Sequence, residues 1–284
     1  MPSDLELPLS TKVATSTTLN LDPSNERVKL AYSPDGQHLA AISRSGSGTQ
    51  DPMSVWEVNS WKQIGGRRAP GGSTLCLAFS PDGRHIATSG YDSVVRVCDA
   101  TTGEEVRSAF KAHDWPVFSM TFSPDGRHIA TCSGYRTVRI WDWKAGKEPP
   151  ATILQHAGRV TAGAFSRDGK CLISTGLDRT VKVWDSATWQ LLHNLPQPSA
   201  VQCVAFDRDG PRLAWGSNDG TVNIWDGPGM QPHVLRGHTS WIQAVAFSPT
   251  GKWVASASLD GTVKIWNAPP ELEAPVLNVG TPGK

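Results

Sequence analysis

Six runs of six residues punctuate the chain: RVKLAY, TLCLAF, VFSMTF, VTAGAF, VQCVAF and IQAVAF, each ending in an aromatic. Large and small side chains alternate along them. In the second run Leu75, Leu77 and Phe79 fall on one face, and Cys76 and Ala78 on the other. A period of two over this length predicts strands. The residue before the terminal aromatic is small in every copy (Ala31, Ala78, Thr121, Ala164, Ala205, Ala246), which predicts crowding where strands converge on an axis. A turn follows each run, with Gly where the chain must bend and, in four of the six, Pro where its ring presets the backbone. A second strand comes next, at His85–Ser89, Leu172–Thr175 and Val254–Ala257 among others. After a tight turn, a third strand of period two (VRI, VKV, VNI, VKI) ends in Trp. A weaker fourth strand is predicted at Val106–Phe110, Thr152–Leu154, Leu191–Leu195 and Val234–Leu235. No segment sustains a period of 3.6, so the class is all-β.

These elements form a repeat. The turn reads SPDG from Ser33, Ser80 and Ser123, then SRDG from Ser166, DRDG from Asp207 and SPTG from Ser248, at spacings of 47, 43, 43, 41 and 41. The run FSPDGRHIAT occurs twice without change, at Phe79–Thr88 and Phe122–Thr131. A second marker alternates with the turn: VWE, VCD, IWD, VWD, IWD and IWN, ending at Glu57, Asp99, Asp142, Asp185, Asp226 and Asn267. Four strands per period of about 42 residues predict propeller blades. Six blades span 24–267; an incomplete seven-bladed ring is the alternative. Residues 1–23 are expected to supply a closing outer strand, Thr17–Leu21, to the last blade. Val276–Val279 competes for that edge, within a Pro-rich tail at 268–284.

The terminal Trp-Asp pairs, the Asp of the tight turn and a preceding His (Gly237–His238, Ala112–His113, Gln155–His156) make the chain resemble the WD-repeat β-propeller family. The resemblance implies a buried hydrogen-bonded set in each blade: His, a Ser or Thr on the second strand, the turn Asp and the third-strand Trp. Two units match throughout, with His156, Ser174, Asp178 and Trp184, and with His238, Ser256, Asp260 and Trp266. The others depart. Tyr135 replaces the Asp in unit three, Cys98 the Trp in unit two, and Trp215 the hydroxyl in unit five.

Composition narrows the function. With 27 Lys and Arg against 26 Asp and Glu, the chain has no net field to steer nucleic acid or an anionic membrane. No apolar stretch is long enough to span a bilayer, and the N-terminus lacks the charge and apolar core of a signal peptide. Five cysteines without paired spacing read as buried hydrophobes in a reducing compartment, so a cytoplasmic location is expected. A Ser, a His and an Asp in one blade suggest catalysis, but the set repeats with the fold. HExxH, P-loop and G-x-S-x-G motifs are absent. The inner runs carry no carboxylate or His to hold a channel metal, so no cofactor or metal is expected.

The expectation is therefore a non-catalytic scaffold that binds a protein or peptide. Alternatives are a sensor module of a larger signalling protein such as a kinase, and a metal-dependent propeller hydrolase. Loops entering the inner strands and the tight turns share one face. There Trp115 and Trp241 stand outside the repeated positions, beside Tyr91, Arg159, Leu177, Asn218 and Leu259. Aromatic and Arg side chains in such places anchor partners. Trp61, Trp143 and Trp189 are expected to cover blade edges, and His85 and His128 to be solvated turn residues.

Overall fold

The computed structural model describes residues 25–45, 50–70, 74–145, 150, 152–208 and 212–268. All elements among them are strands. Blade one holds β1 (Asn25–Tyr32), β2 (His38–Ser45), β3 (Gln50–Glu57) and β4 (Gln63–Pro70). Blade two holds β5 (Thr74–Phe79), β6 (His85–Gly90), β7 (Val94–Asp99) and β8 (Phe110–Lys111). Blade three holds β9 (Val117–Phe122), β10 (His128–Ser133), β11 (Thr137–Asp142) and β12 (Thr152–Gln155). Blade four holds β13 (Val160–Phe165), β14 (Cys171–Gly176), β15 (Thr180–Asp185) and β16 (Leu191–Pro196). Blade five holds β17 (Val201–Phe206), β18 (Leu213–Ser217), β19 (Val222–Trp225) and β20 (His233–Leu235). Blade six holds β21 (Ile242–Phe247), β22 (Trp253–Ser258) and β23 (Val263–Asn267). Each is an antiparallel sheet in chain order, and the molecule is a six-bladed β-propeller.

The alternation in the inner strands sets how blades stack. Leu77 and Phe79 pack back against blade one, with Ala40, Ile42, Met53 and Val55. Cys76 and Ala78, on the opposite face, pack forward against Val117, Met120 and Phe122 of blade three. Large residues thus lean on the preceding blade, and the small ones let the following blade approach. Later junctions repeat the scheme: Phe165 meets Val138 and Ile140, Phe206 meets Val181 and Val183, and Phe247 meets Val222 and Ile224. Thr161 Oγ1 adds a hydrogen bond across the fourth junction to the carbonyl of Val201, at 2.6 Å.

The Ser-Pro-Asp-Gly turns are built from their own side chains. Ser80 Oγ donates to Asp82 Oδ1 at 2.5 Å and accepts from the His85 amide at 3.0 Å, while Asp82 Oδ1 accepts from the Arg84 amide. The closing glycines, Gly36, Gly83, Gly126, Gly169 and Gly251, have φ between 67° and 72°, a region that favours residues without Cβ.

The fourth strand of blade two is shorter than expected. After the isolated Cys98–Glu105 bridge, regular pairing resumes only at Phe110 and Lys111. The intervening Arg107 turns away and donates to the carbonyl of Trp143. Blade one, whose sequence is irregular around its second turn, forms eight-residue strands on both sides of it. The expected closing strand Thr17–Leu21 and its competitor Val276–Val279 lie outside the described residues.

Candidate interaction face

In blade four the sequence places His156 just before β13, Ser174 on β14, Asp178 in the tight turn and Trp184 on β15. The fold brings them together. Asp178 Oδ2 lies 2.8 Å from His156 Nδ1, Ser174 Oγ lies 2.7 Å from Nε2, and the Trp184 indole N–H donates to Ser174 Oγ at 2.8 Å. The carboxylate fixes the proton on Nδ1, so Nε2 accepts from the hydroxyl. Blade six repeats the arrangement with His238, Asp260, Ser256 and Trp266, every distance 2.8 Å. Burial lowers the pKa of His156 despite its carboxylate partner. Burial pushes the Asp178 carboxyl up, but His156 and Thr180 outweigh it and hold it below the usual range.

The order of atoms is that of a hydrolytic triad, yet it serves another end. Ser174 and Ser256 are buried, and each hydroxyl oxygen already accepts an indole N–H. A nucleophile must reach an acyl carbon, and these oxygens face the blade interior. Their chemistry is satisfaction of buried polar groups.

The remaining blades improvise. In blade three His113 Nε2 lies 2.8 Å from Thr131 Oγ1, which also accepts from Trp141 at 2.9 Å. With Tyr135 in the place of the Asp, His113 Nδ1 has only Thr137 Oγ1, at 3.3 Å. Burial, with the nearby Arg139, lowers the pKa of His113 to about 3. In blade five the Trp215 indole donates to Gln197, and Trp225 to the carbonyl of Met230. In blade two Asp92 pairs with Arg96 at 2.7 Å.

The tight turns and the loops entering the inner strands are tied together, which settles where the other candidates stand. The Leu177 amide donates to the Arg159 carbonyl, Asn218 to Ala200 and Leu259 to Trp241, each at 2.9 Å. Ser133 Oγ donates to the carbonyl of Trp115. Trp115, Trp241, Tyr91, Leu177, Leu259 and Arg159 are exposed on this face. The Arg159 guanidinium lies 3.5 Å from the ring centroid of Phe118, joining blades three and four. Asn218 is half-buried and accepts from Gln202, so it is less available than the others.

Sequence reasoning missed the companions of Trp115. A cavity of about 630 Å³ is lined by Trp115, Tyr135, Arg136, Arg139, Ile153 and Gln155, with Gly134 and Thr137. Tyr135 and Ile153 are exposed large hydrophobics. The signal was present, because Tyr135 breaks the repeat at the turn Asp and is released from the buried set to the surface. Arg139 donates to the Ala112 carbonyl through Nη1 at 2.8 Å, while its buried Nε has no partner.

His85 and His128 correct an expectation. They are not solvated turn residues; their rings pack edge-on against Trp143 and Trp189, with centroids 5.2 and 5.8 Å apart. Each Trp lies in the connection after a third strand and reaches back to the preceding blade. Of the five cysteines, Cys76, Cys98, Cys132 and Cys171 are buried and Cys203 is half-buried. Burial raises the thiols of Cys76 and Cys203 to about 12. Among the described residues, no three His, Cys, Asp or Glu side chains gather as a metal site. No helix among them is long and apolar enough to cross a membrane.

Antiparallel blades in chain order, with His-Ser-Asp-Trp sets locking individual blades, define a WD-repeat propeller. The family model for the WD domain, G-beta repeat, matches residues 66–99, 103–142, 147–185, 189–226 and 229–267, and the chain belongs to that family. No curated protein matched the sequence.

Proposed function

We propose that the protein is a non-catalytic scaffold, cytoplasmic, that holds a protein or peptide on the face carrying the tight turns. The observation that carries this reading is the group of large side chains left exposed there outside the repeated positions: Trp115 and Tyr135 around the blade-three cavity, with Tyr91, Leu177, Trp241 and Leu259 on neighbouring blades. Aromatic residues on a rigid frame bury much area at small entropic loss, which suits them to binding hot spots. A chain of net charge +1 favours recognition by shape and apolar contact over long-range steering.

The test compares capture of partners by wild type and by a Trp115→Ala/Trp241→Ala protein, with Tyr135→Ala added separately. The double variant is expected to lose the partners that wild type retains. Equal recovery of every partner would exclude this face.

A further inference from the structure

Blade three keeps a cation whose carboxylate it has lost. In blades two, four and six the tight-turn Asp is followed four positions later by a base: Asp92 and Arg96, Asp178 and Lys182, Asp260 and Lys264. In blade two the pair is closed, with Arg96 Nη1 2.7 Å from Asp92 Oδ2 and both side chains mostly buried. Blade three has Tyr135 at the turn and still has Arg139 four positions on, with a second base, Arg136, between them.

The Arg139 side chain is only 23% exposed. Its Nη1 donates to the Ala112 carbonyl at 2.8 Å, but its buried Nε has no partner. The Asp114 carboxylate stands 4.0 Å from Nη2, is 75% exposed and is shared with Lys111 at 3.9 Å. A pair so long and so wet does little to neutralise a guanidinium.

The surroundings show what kind of molecule would carry the missing acid. Register sets Arg139 opposite Ile153 and Thr137 opposite Gln155, so these four side chains share one face of β11 and β12. Val138 and Ile140 point to blade four, so this face turns toward blade two. There the cavity brings the two bases beside the exposed side chains of Trp115, Tyr135 and Ile153. A small anion would meet the bases and leave three large apolar side chains wet. A purely apolar segment would cover Nε with nothing to accept from it.

We propose that the cavity binds a peptide segment in which an Asp or Glu stands beside a large apolar residue. The carboxylate accepts from Arg139 Nε and from Arg136, and the apolar side chain lies on Trp115, Tyr135 and Ile153. Charge complementarity selects this occupant, because its acid does for Arg139 what Asp92 does for Arg96. The proposal rests on the scaffold reading and names the chemistry of the partner.

Peptide display on the full chain, followed by fluorescence anisotropy with the selected peptides, tests it. The selected sequences should share an acid flanked by aliphatic or aromatic residues. Arg139→Gln should weaken them at least about tenfold, added salt should weaken them, and Asp114→Asn, which removes a competing acid, should tighten them. Tyr135→Asp restores an in-chain carboxylate and should abolish binding while the protein melts no lower than wild type, so unfolding cannot be the cause. Tyr135→Asn, which removes the ring without adding charge, should bind better than Tyr135→Asp. The proposal is overturned if no peptide is selected, if the selected peptides lack an acid, or if they bind Arg139→Gln as they bind wild type. It is also overturned if the Asn and Asp variants at position 135 bind alike. Partners lost by Trp115→Ala/Trp241→Ala but kept by Arg139→Gln would leave the face standing and remove this proposal. Partners kept by both would remove the face as well.

Discussion

His156 Nδ1 lies 2.8 Å from Asp178 Oδ2, and the hydroxyl of Ser174 stands on the other side of the ring, 2.7 Å from Nε2. The imidazole is a buried bridge between a turn and a strand, and its neutral form is the one the site needs.

Ser174→Ala removes one oxygen and leaves two groups without partners, His156 Nε2 and the Trp184 indole N–H. Each buried unsatisfied group costs about 1–3 kcal/mol. Denaturant titration should therefore show a loss of at least about 2 kcal/mol. Ser186→Ala, in an exterior connection, should change stability less.

Acid should weaken the fold before the carboxylates titrate. Burial holds His113 at about 3, while in the unfolded chain it takes its proton near its ordinary value of about 6.5. The stability it contributes is complete above that value and is lost as pH falls through the window below it. The slope is about 1.4 kcal/mol per pH unit for one such group, and His156, lowered by burial as well, adds in the same direction. Asp178, held low, adds a loss only below the ordinary carboxylate range. Melting temperatures between pH 7 and pH 4 should fall, and His113→Gln should flatten the curve.

Tyr135→Asp should separate stability from binding. It returns a carboxylate to the place that Asp178 and Asp260 fill in blades four and six, giving His113 Nδ1 a charged acceptor. A charge-assisted hydrogen bond is worth about 1.5–3 kcal/mol before the loss of other contacts. A net gain near 1 kcal/mol is expected by chemical denaturation, together with weaker partner binding through loss of the cavity wall.

Trp115→Ala and Trp241→Ala should leave unfolding free energies within about 0.5 kcal/mol of wild type, as exposed positions do. Trp143→Ala should be costly, about 3 kcal/mol or more. Its ring is buried against Phe122 and His85, and its N–H donates to the carbonyl of Gly126.

The propeller was legible because its determinants are local and repeated. A period of two names a strand, Ser-Pro-Asp-Gly names a turn, and a small residue before each aromatic marks which face leans forward. The buried sets of blades four and six could be written down from sequence because the resemblance to the WD-repeat family implies them and both units match its pattern residue by residue. The cavity beside Trp115 could not. It depends on Tyr135 swinging outward and on Ile153 and Gln155 arriving from β12, a strand whose pairing follows a connection of variable length. His85 and His128 were misplaced for a similar reason: the Trp that covers each comes from the next blade, 58 and 61 positions along the chain.

The large-to-small stacking of inner strands bears on how such a chain can be rearranged. A Cβ on Gly163 of blade four would lie 2.7 Å from the Sγ of Cys132 in blade three, so that glycine is fitted to its neighbour's sulfur. The same place in blade two is Leu77, which would drive into that sulfur if the two blades were exchanged. Blades that look alike as sheets are therefore not interchangeable. What can be copied and moved intact is the trailing half of one blade joined to the leading half of the next. Recombination that cuts through the middle of a sheet keeps those fitted surfaces together, and recombination at its borders separates them.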